Sequence, residues 1–224
     1  MPVRVRRADV HTAMFSVPAG AAQRLIDHSG LQVCRFRPDR AVVTLMLARY
    51  FDGDLGRYHE FGTCVMVNPP GSKATGLRAL ADAAAFIHHL PVDQSFTLEA
   101  GRTIWGFPKI MAQFSVRDAQ GFGFSVSEGG SLIAAIEFKR GLPIPMRSRP
   151  QVLRTYTYAD GTTREVPWEM VNSGVRVRPG GARLRLGDHP YARELAALGL
   201  PGRALLSGSV GNVEMTFGEA HVLR

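Results

Sequence analysis

The 224-residue chain is short of cysteine, of lysine and of long apolar runs, and each shortage excludes a class of protein. Two cysteines, Cys34 and Cys64, are too few for a disulfide framework or a four-ligand zinc site. They read as free thiols of a reducing, cytoplasmic setting. No stretch reaches the ~20 apolar residues of a membrane-spanning helix. The arginines within residues 1–11 have no apolar run behind them, so neither a signal peptide nor a membrane partner is expected. No repeat or low-complexity linker interrupts the chain, which predicts a single domain over residues 1–224. With 45% hydrophobic and 21% charged residues, the composition is that of a globular chain able to bury its own core.

Net charge is +8, yet only three of the 27 basic residues are lysine: Lys73, Lys109 and Lys139. The rest are arginine, scattered along the chain, as a GC-rich coding bias would leave them. The densest set is Arg176, Arg178, Arg183 and Arg185. It alternates with Val175, Val177, Leu184 and Leu186 around Pro179-Gly180-Gly181. That alternation predicts a hairpin with one apolar and one basic face, suited to solvent or a subunit contact. No RNA-binding motif or helix-turn-helix pattern accompanies it, so no nucleic-acid partner is expected.

Fourteen prolines and 24 glycines cut the chain into short segments, most of them patterned as strands. Residues 42–50, VVTLMLARY, are nearly continuously apolar, as in a strand buried on both faces. Residues 58–67 form a second strand, stopped by Asn68-Pro69-Pro70-Gly71. Residues 111–117, 122–127 and 132–139 read as a meander, with turns at Ala119-Gln120-Gly121 and Glu128-Gly129-Gly130. Residues 152–158 and 164–170 flank Asp160-Gly161, a hairpin signal, and residues 210–217 form a late strand. A helix is expected from an Asp93 cap to Trp105, ended by Gly106 and Pro108. Another is expected over residues 191–198, ended by Gly199. Residues 77–90 are divided, since their alanines favour helix while residues 84–92 suit a strand. The pattern as a whole predicts a mainly β (α+β) antiparallel barrel or sandwich with a few short helices.

One segment carries chemistry: Ala100-Gly101-Arg102-Thr103-Ile104-Trp105-Gly106-Phe107-Pro108-Lys109. It sets a rare lysine just past a helix end, behind a proline, among Trp105, Phe107, Ile110 and Met111. Desolvation disfavours the charged form of a lysine. A neutral amine is what Schiff-base chemistry on a ketone requires. The plainer alternative is a lysine that snorkels its head to water over an apolar patch.

This segment resembles the active-site run of the acetoacetate decarboxylase family, in which members carry AGRE-[IL]-[WY]-G-[FY]-PK-like sequences. The resemblance implies that Lys109 forms the Schiff base. Arg57-Tyr58-His59-Glu60-Phe61-Gly62 resembles the family's Tyr-x-Glu segment, about fifty residues upstream of the lysine, and implies an active-site role for Glu60. Strand alternation points Glu60 the same way as Tyr58, Gly62 and Cys64, with His59 facing away. A carboxylate near an amine can position substrate, shuttle a proton to an enamine carbon, or dehydrate a carbinolamine. Without the resemblance, Glu60 would read as an exposed edge-strand carboxylate paired with an arginine. Residues 84–93, AAFIHHLPVD, fall where the family has a strand leading into the helix before the lysine, which tips that segment towards strand. The resemblance spans roughly residues 42–139. It implies the acetoacetate decarboxylase-like β fold, a small keto-acid substrate, no metal or organic cofactor, and a homo-oligomer. Trp105, Phe107, Tyr58 and Ile110 are the expected substrate-binding walls.

The chain also departs from the family. The best-known decarboxylases have two adjacent lysines after the proline, whereas this chain has Ile110 in the second place, which leaves activation of Lys109 to burial. They carry a second glutamate some fifteen residues before the first, where this chain reads Leu45-Met46-Leu47. For their N-terminal, carboxylate-binding arginine the candidates are Arg24, Arg35 and Arg37. Some relatives keep the lysine but perform aldol condensation and dehydration on pyruvate-like substrates. The leading expectation is a Schiff-base lyase of acetoacetate-like decarboxylase type. Aldolase-dehydratase chemistry and a catalytically silent ligand-binding member are the alternatives. His88-His89 forms no expected metal site, because adjacent strand residues face opposite ways and no third ligand stands at a suggestive spacing. Ser207-Gly208-Ser209 lacks a nucleophile-elbow context, and no helix follows Gly121-Phe122-Gly123 to make a phosphate loop.

Overall fold

The computed structural model describes residues 2–72, 74–118, 121–145 and 149–223. Lys73 and the expected turn residues Ala119 and Gln120 lie outside them. The chain opens with a long strand, β1 (Val3–Pro18), followed by α1 (Ala19–Ile26), β2 (Arg35–Arg37), β3 (Arg40–Gly53) and β4 (Tyr58–Val67). After α2 (Gly76–Asp82) and β5 (Ala84–Val92) come α3 (Ser95–Ala100), a π-helical turn (Gly101–Trp105) and β6 (Lys109–Met111). Then follow β7 (Gln113–Arg117), β8 (Phe122–Glu128), β9 (Ser131–Phe138), β10 (Leu142–Pro143), β11 (Gln151–Ala159) and β12 (Thr162–Pro179). The chain finishes with β13 (Ala182–Leu186), α4 (Pro190–Ala197), β14 (Ala204–Phe217) and β15 (His221–Val222). Among the described residues no helix is long and apolar enough to cross a membrane.

The architecture is mostly β and sandwich-like, with two sheets and short helices, as the segment pattern predicts. β1 pairs with both β14 and β3, so the pairings of the large sheet run in a ring: β1-β14-β12-β11-β5-β4-β3 and back to β1. All are antiparallel except β5 with β11; β6 is added alongside β5, also parallel. The second sheet, in the order β13-β9-β8-β7, lies against the outside of this ring. Between them Leu45, Leu47, Phe61 and Val65 meet Phe124, Val126, Ile133 and Ile136, with Ile26 of α1 and Leu195 of α4. The continuous apolar run of β3 follows from this placement, because its second face looks into the ring. Full burial of one such side chain stabilises the fold by about 1.5–3 kcal/mol.

Several expected elements are redrawn. The helix before Lys109 is capped by Gln94, whose side-chain oxygen accepts from Thr97 N, and not by Asp93. The Asp93 carboxylate instead takes the His59 backbone N–H at 2.7 Å and lies 2.6 Å from its Nδ1. Residues 77–90 divide into most of α2 and most of β5, so both readings of that segment hold in part. Residues 111–117 break at Ala112, whose N–H turns back to the Val92 carbonyl. The hairpin expected over residues 175–186 does not form. β12 pairs with β14 and β13 with β9, so Gly180 and Gly181, both with positive φ, carry the chain from one sheet to the other. Alternation reports which face is buried and says nothing about which strand is the partner.

Candidate active site

The AGRTIWGFPK segment is built to deliver one side chain. Gly106 ends the π-helical turn at φ 72°, and its N–H donates to the Arg102 carbonyl. The Phe107 N–H donates to Gly101 O at 3.0 Å. Pro108 has no N–H to offer, and the Lys109 N–H closes back on Phe107 O at 2.8 Å. Arg102 then clamps the Lys109 carbonyl with two hydrogen bonds, of 2.9 and 2.6 Å. The Thr157 hydroxyl donates to Gly106 O, and Trp105 Nε1 donates to Gly218 O. Gly101 leaves room for this pose: a Cβ there would lie 2.6 Å from both Cδ and Cε of Lys109, so the lysine stem would have to shift.

The Lys109 side chain is only 2% exposed. Its Nζ lies 2.9 Å from Glu60 Oε2 and donates to Thr97 Oγ1 at 2.9 Å. It also stands 5.1 Å from the centre of the Tyr58 ring, within cation–π range. The other carboxylate oxygen, Oε1 of Glu60, accepts from the Tyr50 hydroxyl at 2.9 Å. Tyr50 stacks on Tyr58, the ring centres being 4.2 Å apart. Burial, and then the Glu60 charge, raise both phenols well above their ordinary pKa, which keeps Tyr50 a hydrogen-bond donor. The same two causes push the Cys64 thiol up to about 12, so it is inert as a nucleophile. A buried ion pair is costly to desolvate unless its remaining hydrogen-bonding capacity is met, and Thr97 and Tyr50 help to meet it.

These groups face a cavity of about 270 Å³ inside the ring. All seven ring strands and β6 contribute to its wall, which is overwhelmingly apolar. Tyr58, Glu60, Trp105, Phe107 and Lys109 all line it. Ile110 does not: it follows Lys109 on β6, and alternation turns it away. Tyr50, Met46, Trp168 and Phe217 line the cavity, and Thr97 holds the amine from beside it, without any motif having marked them. Of Leu45-Met46-Leu47 only Met46 faces the cavity. Arg24, Arg35 and Arg37 are exposed and take no part in it.

A second polar cluster stands apart. His88 and His89 do not diverge as adjacent strand residues should. The register of β4 on β5 pairs Thr63 with His89 and Cys64 with Ile87, leaving His88 as the extra residue of a bulge. Both rings thereby reach one carboxylate oxygen of Glu194 on α4, at 2.7 and 2.8 Å. The three donor atoms lie within 4.8 Å of one another, so the third potential ligand, far off in sequence, exists in space. The distances are those of direct hydrogen bonds. Burial, reinforced by His89, lowers His88 to about 4, so it meets Glu194 as a neutral N–H donor. Neither histidine lines the cavity.

The acetoacetate decarboxylase family model matches residues 1–224 of the chain. No curated protein sequence matches it. Among solved structures, an acetoacetate decarboxylase from Legionella pneumophila superposes with a TM-score of 0.71 at 16% identity, covering 100% of this chain and 88% of that one. The enduracididine biosynthesis enzyme MppR, complexed with pyruvate, gives 0.67 at 17% identity, covering 100% of this chain and 91% of that one. An acetoacetate decarboxylase-like enzyme from Sphingomonas wittichii RW1 gives 0.65 at 16%, with 100% and 92% covered. At such identities the likeness is one of fold.

Proposed function

The chain belongs to the acetoacetate decarboxylase family, and from that premise we propose that it is a Schiff-base lyase decarboxylating a 3-oxo acid through Lys109. The observation that carries this reading is the buried amine at 2.9 Å from a carboxylate, facing an apolar cavity. To attack a ketone, Nζ must lose a proton, and Glu60 Oε2 is the group placed to receive it. The neutral amine adds to the carbonyl carbon. Glu60 returns that proton to the alkoxide oxygen, takes a second from the nitrogen and passes it to the hydroxyl, which leaves as water while the freed nitrogen lone pair forms the iminium. The bond to the substrate carboxylate then breaks. Its electron pair moves through the iminium to give an enamine, and CO₂ departs. A proton adds to the enamine carbon, water hydrolyses the resulting imine, and the ketone and free Lys109 are restored. Tyr50, by donating to Oε1, fixes which carboxylate oxygen faces the amine. The apolar wall destabilises a carboxylate relative to neutral CO₂, while the iminium supplies the counter-charge.

The same imine serves aldol condensation and dehydration on a pyruvate-like substrate. One observation favours this second reading: Met46 faces the cavity from the stretch where the best-known decarboxylases place a second carboxylate. Borohydride trapping with acetoacetate, and separately with pyruvate, followed by peptide mass spectrometry tests the shared step. A reduced adduct on Lys109, absent in Lys109→Arg, is expected. No adduct with either ketone overturns the Schiff-base reading, and product analysis with pyruvate plus an aldehyde separates the two chemistries.

A further inference from the structure

We infer that the preferred substrate is a monocarboxylic 3-oxo acid bearing an apolar alkyl or aryl group on its ketone, larger than acetoacetate. This rests on the reading of Lys109 as the imine-forming residue. Size is the first argument. An apolar cavity of ~150 Å³ holds a benzene molecule, and this one measures about 270 Å³. It therefore takes the reacting end of a 3-oxo acid and a group of about benzene's size besides. A four-carbon acid would leave much of the space to water, which an apolar cavity hosts poorly.

The second argument is the chemistry of the wall. Val5, Met46, Phe107, Trp168, Met215 and Phe217 present carbon or sulfur. Lys109 is the one cation among the described lining residues, and it already faces Glu60. The polar edge of the Trp168 indole is turned to Thr155 Oγ1 at 2.9 Å, and the Tyr50 hydroxyl to Glu60. A substrate carboxylate next to the imine carbon finds the iminium as its partner. A second carboxylate further along the substrate finds no cation but Lys109, and an amino group or a guanidine finds only Glu60, already held by Lys109 and Tyr50. The site thus selects against polar tails, and each methylene that enters the cavity gains about fourfold in affinity.

The test measures kcat/KM for CO₂ release from 3-oxobutanoate, 3-oxohexanoate, 3-oxooctanoate and 3-oxo-3-phenylpropanoate, with 3-oxoadipate as the dicarboxylate control. In parallel, borohydride trapping uses acetone, 2-pentanone, 2-heptanone and acetophenone, which need no decarboxylation. The expected result is kcat/KM at least about tenfold higher for 3-oxohexanoate than for 3-oxobutanoate, carried mainly by KM. The dicarboxylate should be the poorest of the series. Val210→Phe, which narrows the cavity, should lower turnover of the longer acids more than that of 3-oxobutanoate. Equal or better turnover of 3-oxobutanoate, with an adduct still forming on Lys109, overturns the inference and leaves the Schiff-base reading standing. No adduct on Lys109 with any of the ketones overturns both.

Discussion

The two faces of β3 and β4 belong to the same strands and have opposite fates. On one, Leu45, Leu47, Phe61 and Val65 are fully buried against the second sheet, with the Phe61 and Phe124 rings 5.5 Å apart. On the other, Met46, Tyr50, Glu60 and Cys64 border a space of about 270 Å³. The filled face gains dispersion contacts with every apolar neighbour, while the hollow face forfeits them across the void. The hollow face also holds a desolvated ion pair, which is weak support for a fold. One pair of strands thus does two jobs: its outward side stabilises the molecule, and its inward side uses part of that stability to keep the Lys109 amine buried.

The sharpest way to break this contrast is to remove the charges. Lys109→Met should abolish the borohydride adduct and lower turnover by roughly 10³-fold or more. It should also destabilise the protein, because Glu60 is left buried without its partner. The double variant Lys109→Met/Glu60→Gln should recover most of that loss in urea unfolding, because no buried charge is left unpaired. A double variant clearly less stable than the native chain would show that the hollow face supports the fold after all. Next in size is Phe61→Ala on the filled face, expected to cost about 3–5 kcal/mol. Met46→Leu on the hollow face should cost under ~1.5 kcal/mol, since volume is kept and neighbours are fewer. Equal costs at the two positions would erase the distinction between filled and hollow.

The smallest effect concerns the His88–His89–Glu194 bridge, which belongs to neither face. Burial holds His88 at about 4 in the folded chain, against an ordinary value of 6.5. Between these values the unfolded chain binds the proton and the folded one does not. The contribution to stability is therefore complete above pH 6.5 and is lost as the pH falls towards 4, with a limiting slope of about 1.4 kcal/mol per pH unit. His11, lowered by burial to about 4, adds a slope of the same sign. In His88→Gln the difference between urea midpoints at pH 7 and pH 5 should shrink without vanishing. An unchanged difference would mean that His88 does not titrate in this window.

What the sequence made legible follows from the range over which each signal acts. β4 is read to the residue, because its apolar run and its Pro-Pro stop are local. β1 went unassigned. Its arginines hide the pattern, and its two partners, β3 and β14, are named only by the folded chain. Lys109, Glu60, Tyr58, Trp105 and Phe107 stand together in motifs and line one cavity. Ile110 is adjacent to Lys109 in sequence, which on a strand is the very reason it points away. Tyr50 and Thr97 carry no motif, since their roles arise from strand register and from a capped helix turn. The histidine pair shows the same limit, as a one-residue bulge reverses the facing that strict alternation assigns.

The bare Cα of Gly101 has a consequence for how this chain can drift. Its missing methyl group is the space through which the Lys109 stem passes. Lineages that lose the lysine are released from the need for glycine at position 101, and those that first acquire alanine there forfeit the lysine's resting pose. The two positions are thus coupled, eight residues apart: a methyl group at position 101 leaves the lysine stem only poses other than this one.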